Sequence, residues 1–408
     1  MPEITDGMIA VEDALKNVLA GVKQLGTEDI SVADAQNRVL AADVISRLTQ
    51  PPVAVSAMDG YAVRAEDVAS VPATLTQIGE SAAGSGFDGK IEAGQTTRIF
   101  TGAPVPEGAD AIVIQEDTET AGDQITMIEA APAGKYIRPA GLDFKTGDTL
   151  LSAGTRLNSR NIALAAAMNV PWIKVYRRPR VAILSTGDEL VLPGEPVGPD
   201  QIISSNSIGM AAFVTANGGV PINLGIAKDD PDSLKEMLNS LSGADMLVTI
   251  GGASVGDHDL VKSVLGEEGL DITFSRVAMR PGKPLIFGQI SGIPMLGLPG
   301  NPVSAGVTAA LFLRPAINKM MGLGDSSHRT ETAILGRDLD SNDKRQDYLR
   351  STLDIDVNGA LTAIPFDRQD SSMLARFAQA QCLVVRVPFA EPISAGERVE
   401  IIKLDGSF

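Results

Sequence analysis

Gly297-Leu298-Pro299-Gly300-Asn301-Pro302-Val303-Ser304 ends an apolar run on Gly and Pro and then opens a helical pattern. Asn301 suits an N-cap, and Pro302 suits the first helical position, where a missing N–H costs nothing. A helix start of this kind offers N–H groups and the positive end of the macrodipole to an anion, although a capped helix with no ligand would carry the same residues. The same strand-then-turn grammar occurs twice upstream, at Ser185-Thr186-Gly187-Asp188-Glu189 and at Gly251-Gly252-Ala253-Ser254-Val255-Gly256-Asp257. Around these loops, strands are expected at Arg180–Ser185, Val220–Ile226, Asp245–Ile250, Asp271–Val277 and Pro294–Leu298. Helices are expected between and after them, near Ser205–Ala216, Pro231–Leu241, Asp257–Leu265 and Pro302–Met321. Such alternation predicts a parallel α/β sheet with helices on both faces, and it puts all three loops on the carboxyl edge, where such sheets bind ligands.

Outward from this unit the pattern changes. Residues 8–25 carry Ile9, Val11, Leu15, Val18, Leu19, Val22 and Leu25 at helical spacing after a Thr5–Asp6 start signal. Short β-prone runs follow at Ala73–Ile78, Thr96–Phe100 and Ala111–Gln115, separated by Gly and Pro clusters, as in a small inserted β domain. A second helix is expected over Asn158–Asn169, so that the flanks of the insert rejoin into one connecting domain. Beyond 327 the chain returns to β, with runs at Cys382–Val387 and Arg398–Leu404 and turns at Asn358–Gly359 and Ala395–Gly396. The expected division is a helical connecting domain (1–45 with 146–176), an inserted β domain (46–145), an α/β domain (177–326) and a terminal β domain (327–408).

Composition narrows the chemistry. A chain of 408 residues has room for several domains and a large core. Its 34 Lys and Arg stand against 51 Asp and Glu, a net charge of −17 with no basic block, which excludes the field that nucleic-acid binding needs. A single cysteine, Cys382, and two histidines, His258 and His328, cannot build thiolate or imidazole metal cages; a protein-held metal would be a hard cation on oxygen ligands, with Mg²⁺ the usual choice beside phosphates. The start MPEITDGMIAVEDAL lacks the basic and apolar regions of a signal peptide, and no run of about 18 apolar residues follows, so a cytoplasmic protein without a membrane span is expected.

Within the loops, Gly252, Ser254 and Gly256 satisfy a G-x-S-x-G pattern, but the hydrolase this suggests has no suitable histidine downstream. Neither a P-loop nor a dinucleotide fingerprint occurs. Carboxylates gather near the loops at Asp188 and Glu189, Asp229 and Asp230, and Asp257 and Asp259; one of the 229/230 pair suits a helix cap, and together they could hold Mg²⁺ against phosphates. Arg276, Arg280 and Lys283, in a segment shaped by Pro281, Gly282 and Pro284, stand out as cations in an acidic chain and suit an oxyanion; a solvated strand end would also present them. Arg138-Pro139-Ala140-Gly141-Leu142-Asp143 and Ser56-Ala57-Met58-Asp59-Gly60-Tyr61-Ala62 also mix charge with turn residues.

These segments, with Phe100-Thr101-Gly102-Ala103-Pro104, occur in an order that resembles the molybdopterin molybdotransferase family, which includes the gephyrin E domain. The resemblance implies a helical connecting domain, an inserted β domain, a molybdopterin-binding α/β domain and a C-terminal β barrel. It also implies a homodimer with a shared cleft, and a Mg²⁺-dependent insertion of molybdate into the dithiolene of adenylylated molybdopterin with release of AMP. By motif position it implies catalytic roles for Asp59, Thr101, Asp143, Glu189, Asp229, Asp259, Arg276 and Arg280, with Glu189, Asp229 and Asp259 as the metal set. Substrate contacts are expected from Arg138, Thr186, Asp188 and Lys283, from Gly251, Gly252, Ser254 and Gly256, and from Pro299, Gly300, Asn301, Pro302 and Ser304. Arg350 and Ser371 or Ser372 would reach the partner's cleft from the barrel. Arg at 276 or 280 departs from relatives that carry Lys there, which keeps the charge and adds a planar fork. Because the substrate brings its own soft sulfurs, the chain needs no Cys cluster. Passage of the product to molybdoenzymes or their chaperones would follow; the alternative is a non-catalytic molybdopterin carrier or scaffold.

Overall fold

The computed structural model describes residues 7–228, 230–251, 269–324, 330–355 and 359–404. At its centre a six-stranded sheet runs in the order Val220–Ala227, Arg180–Thr186, Met246–Ile250, Ile293–Leu298, Ile286–Ile290, Leu270–Phe274. The first four strands are mutually parallel, and near-continuous burial of Arg180–Thr186 and Met246–Ile250 follows from cover on both faces. The sheet is not wholly parallel as the sequence suggested. Ile286–Ile290 is an unforeseen strand, antiparallel to both its neighbours. Its cause is local: Ser291 (φ 49°) and Gly292 (φ 80°) both take left-handed conformations, as a tight hairpin turn requires. Gly292→Ala has open space around the new Cβ, so backbone strain alone should cost about 1–2 kcal/mol, read as a lowered denaturation midpoint.

Helices cover this sheet, including Asn206–Ala216 and a continuous helical rod formed by Pro302–Thr308, Ala309–Leu313 and Arg314–Met320. The first helix, Val11–Gly21, starts from Ala10 without a side-chain cap, while Thr5 and Asp6 lie outside the described residues. Its Val11, Ala14 and Val18 join the core of the α/β unit with Phe287, Leu313 and Ile317. It thus packs with that unit, and not with the second helix, Ser159–Ala167, which belongs to a separate core made with Leu40, Val44, Phe144 and Ile173. Asn158 caps the second helix through a reciprocal pairing with Asn161.

Between these segments, six strands from Gly60–Val63 to Gln124–Met127 form one mixed sheet. At the other end of the chain, five strands close on themselves: Gln346–Ile355 pairs with Leu361–Pro365, and through Thr330–Leu335, Arg398–Lys403 and Cys382–Arg386 the ring returns to Gln346–Ile355. Closure leaves this C-terminal barrel without free edges. The short strand Met279–Arg280 pairs with Gln346–Ile355, which ties the barrel to the α/β unit. No helix among the described residues is long and apolar enough to cross a membrane.

Candidate active site

Chain order around the central sheet reverses beside Arg180–Thr186: the next strand lies on one side of it, and the following one, Met246–Ile250, lies on the other. A crevice must open where the two connections part. The two strand ends touch there, since a Cβ on Gly251 (φ +94°) would lie 2.6 Å from the carbonyl oxygen of Thr186. Only glycine fits such a contact. Three hydroxyls at these carboxyl ends, Ser185 Oγ, Thr186 Oγ1 and Thr249 Oγ1, are buried without a hydrogen-bond partner among the described residues. Groups of this kind normally find one, so the strand ends hold polar capacity that a ligand can use.

A cleft of about 1170 Å³ opens above them. Its walls come from the 185–190 turn, the 202–206 segment, Met279 to Pro284, the 299–304 turn, and from the barrel Arg345, 369–372 and Leu374. Thr186, Glu189, Gly251, Arg280, Lys283, Pro299, Gly300, Asn301, Pro302, Ser304 and Ser371 all face it. Glu189 folds back over Gly187, where a Cβ would meet its Oε2 at 2.2 Å, so a carboxylate oxygen is held at the turn. Asp188 is exposed in the same turn but is not on the cleft wall.

Asn301 does not cap its helix with its side chain. Its Nδ2 instead donates to Ser371 Oγ at 2.8 Å, and the helix N–H of Val303 donates to the Ser371 carbonyl at 3.1 Å. The barrel therefore takes up part of the helix start that the sequence offered to an anion. Asn206 clamps the same turn from the other side, donating from Nδ2 to the Gly300 carbonyl at 2.7 Å.

Ser371 thus meets the cleft of its own chain, where the resemblance implied contact with a partner's. Arg350 is 4% exposed, does not line the cleft of its own chain, and supports the lining segment by donating to the Asp370 carbonyl at 3.3 Å. Burial lowers its pKa to about 10, still leaving it charged at neutral pH. Asp370 accepts from the N–H and hydroxyl of Ser372, and these bonds hold its carboxyl below the usual range. Arg276 is half-buried away from the cleft, its carbonyl accepting from Ile9 N–H, so the expected three-cation cluster reduces here to Arg280 and Lys283. Sequence reasoning missed Asn206 and Arg345. Arg345 is forked onto Asp343, whose pKa that pairing draws down to about 2. Asn206 gains its place from a turn 94 residues away, and Arg345, though its fork to Asp343 is local, reaches the cleft only because the barrel docks on the α/β unit.

A second group of expected residues lies elsewhere. Asp59 Oδ1 accepts from Thr101 N–H at 2.7 Å and from Thr101 Oγ1 at 2.8 Å, and these two bonds hold the exposed carboxyl below its ordinary pKa. Arg138 pairs in register with Val55, and the Asp143 N–H donates to the Gln50 carbonyl. All four residues are exposed along the 50–59 segment, and none lines the cleft. Asp229, Gly252, Ser254, Gly256 and Asp259, with Asp257, His258, His328 and Asn358, lie outside the described residues.

Comparison with known proteins covers almost the whole chain. Residues 9–169 match the MoeA N-terminal region (domain I and II), 182–319 a probable molybdopterin binding domain, and 332–404 the MoeA C-terminal region (domain IV). A molybdopterin molybdenumtransferase of Nostoc sp. is 40% identical, with 93% of this chain and 89% of the relative covered. One from Haemophilus influenzae is 35% identical, with 92% and 93% covered. A crystal structure of a molybdopterin biosynthesis MoeA protein from Pyrococcus horikosii superposes with a TM-score of 0.82 at 32% identity, over 98% of this chain and all of that one.

Proposed function

The chain belongs to the MoeA family of molybdopterin molybdenumtransferases, enzymes of molybdenum cofactor biosynthesis, and on that premise we propose that its cleft holds adenylylated molybdopterin beside molybdate and releases AMP as molybdenum enters the dithiolene. One observation carries this reading: the buried hydroxyls of Ser185 and Thr186, without a partner among the described residues, and the cations Arg280 and Lys283 line one cleft at the sheet's switch point.

The division of labour follows from charge. At −17 the chain repels both anionic substrates at long range, so local cations must capture them. Arg280 and Lys283 supply that charge on one wall, and Arg280 offers a planar fork to an oxyanion. Ser185 and Thr186, both on the cleft wall, give hydroxyls to the polar edge of the pterin or its phosphates. Holding both reactants in register is the chain's main contribution, because the dithiolene sulfurs arrive with the substrate.

Mg²⁺ fits the available donors as an oxygen-ligated ion. Among the described residues no cluster of three ligating side chains occurs; Glu189 and Asp370 are the carboxylates on the cleft wall, and Asp370 Oδ1 already accepts from the N–H and hydroxyl of Ser372, so Glu189 is the better donor for an ion that keeps waters and substrate phosphates in its shell. Glu189 would hold it, with Asp229 and Asp259 as the further candidates; when bound it would neutralise charge on the phosphoanhydride. The protein's role there is to keep the Glu189 oxygen at the turn, where Gly187 leaves room for it.

The remaining acidic and polar residues need a second chain. Asp59, Thr101, Asp143 and Arg138 are exposed and off the cleft, and would complete the cleft of a homodimeric partner. Exposed Ile45 (52%) and Trp172 (63%) flank a largely polar groove of about 400 Å³ on the connecting unit, and such contact would cover them. The proposed domain limits remain 1–45 with 146–176, 46–145, 177–326 and 327–408, with the first helix docked on the third unit. A cytoplasmic location and delivery of the product to molybdoenzymes or their chaperones complete the proposal.

Single-turnover AMP release from adenylylated molybdopterin tests it. Release should depend on both molybdate and Mg²⁺. Tight pterin binding with no release under any condition would leave a carrier instead.

A further inference from the structure

Arg280 does not choose its own direction. Its guanidinium is gripped by Asp347, with Nε donating to Oδ1 at 2.9 Å and Nη2 to Oδ2 at 2.5 Å. Asp347 is 3% exposed and sits on the barrel strand Gln346–Ile355, where its backbone is in register with Arg280 itself. Both ends of the ion pair are therefore anchored in paired backbone.

The charge balance around this carboxylate is uneven. Buried Arg350 and Arg386 also feel its field, although Asp370 acts more strongly on Arg350, and Arg386 Nη1 is buried with no hydrogen-bond partner among the described residues. Asp343 forks onto Arg345 nearby and adds no net charge. By Coulomb's law, a carboxylate behind an anion site weakens the capture of that anion. Asp347 must then contribute something other than affinity. Its fork occupies the Nε edge of Arg280, and the Arg280 side chain remains 47% exposed on the cleft wall. What is left for a ligand is the opposite edge of a guanidinium held in place by two hydrogen bonds.

We propose that Asp347 is a positioning residue that aims the free edge of Arg280 at the bound oxyanion, giving up anion affinity for orientation. This rests on the reading that Arg280 meets molybdate. Without the fork, the anion still binds the cation but follows it into other rotamers, away from the dithiolene. Misplacement by about 1 Å is enough to cost up to 10²-fold in rate.

The test is steady-state AMP release against molybdate concentration for Asp347→Asn and Arg280→Ala. Asp347→Asn should leave KM for molybdate unchanged or lower while kcat falls about 10- to 100-fold. Asp347→Glu keeps the counter-charge but shifts the fork by one methylene; it should show the same split more weakly, and it carries the test if the Asn variant does not fold. A raised KM with kcat intact, or both constants unchanged in a folded variant, overturns the inference. Arg280→Ala separates its premise: if KM for molybdate stays at the wild-type value there, Arg280 does not meet the anion and both readings fall. If that KM rises while Asp347→Asn keeps full kcat, only the positioning role is lost.

Discussion

Arg280→Ala lowers molybdate-dependent kcat/KM by about 10²–10³-fold, the usual cost of removing one preorganised donor from developing or bound negative charge. The same change strips a buried carboxylate of its forked partner. Breaking a fully buried pair costs about 3–5 kcal/mol, but the Arg280 side chain is 47% exposed, and Arg350 and Arg386 stay within the field of Asp347. A loss of about 1–3 kcal/mol is therefore expected, visible as a lower Tm. Arg280→Lys separates the two effects. It keeps the charge, and so most of the stability and anion capture, but a single ammonium cannot make the fork, so kcat should remain depressed. Activity equal to wild type in a folded Arg280→Ala protein would remove the cation from the reaction.

This pairing also marks the boundary of what sequence can tell. The three Gly-rich turns were readable because their chemistry is local: Gly251 is needed where its Cβ would meet Thr186, and Asn301-Pro302 begins a helix. The antiparallel Ile286–Ile290 strand was not, because Pro281, Gly282 and Pro284 immediately before it read as punctuation, and the Ser291–Gly292 turn was passed over. Arg280 was visible as a cation among acids, yet its partner Asp347 is 67 residues away on a barrel strand. Ser371 was named as a barrel residue meant for a partner's cleft, whereas it bonds Asn301 of its own chain across 70 residues. Periodicity found the first helix, but could not tell that Val11, Ala14 and Val18 pack on the α/β unit rather than beside Ser159–Ala167. In each case the residue type was informative and the pairing was not, since pairing is decided by tertiary packing.

Mixing two inactive variants should restore about one quarter of wild-type activity. Arg280 lies on the cleft wall, while Asp59 with its Thr101 bonds is exposed elsewhere on the same chain. If a two-fold dimer brings the Asp59 face of one protomer to the Arg280 wall of the other, each cleft draws one residue from each chain. Arg280→Ala and Asp59→Asn homodimers then carry a defect in every cleft. A heterodimer of the two concentrates both defects in one cleft and leaves the other intact. Random reassociation makes about half of the dimers mixed, each with one working cleft of two, hence the quarter. Were both residues to act within one chain, every cleft in the mixture would keep a defect and no recovery would occur. The experiment is co-expression with distinguishable tags, isolation of the doubly tagged species, and single-turnover AMP release. The isolated heterodimer should then show about half the wild-type amplitude at the wild-type rate, because amplitude counts intact clefts and rate reports their chemistry. Asp59→Asn suits this design because the carboxylate is exposed and an amide oxygen can still accept from Thr101, so folding is preserved while the charge is lost.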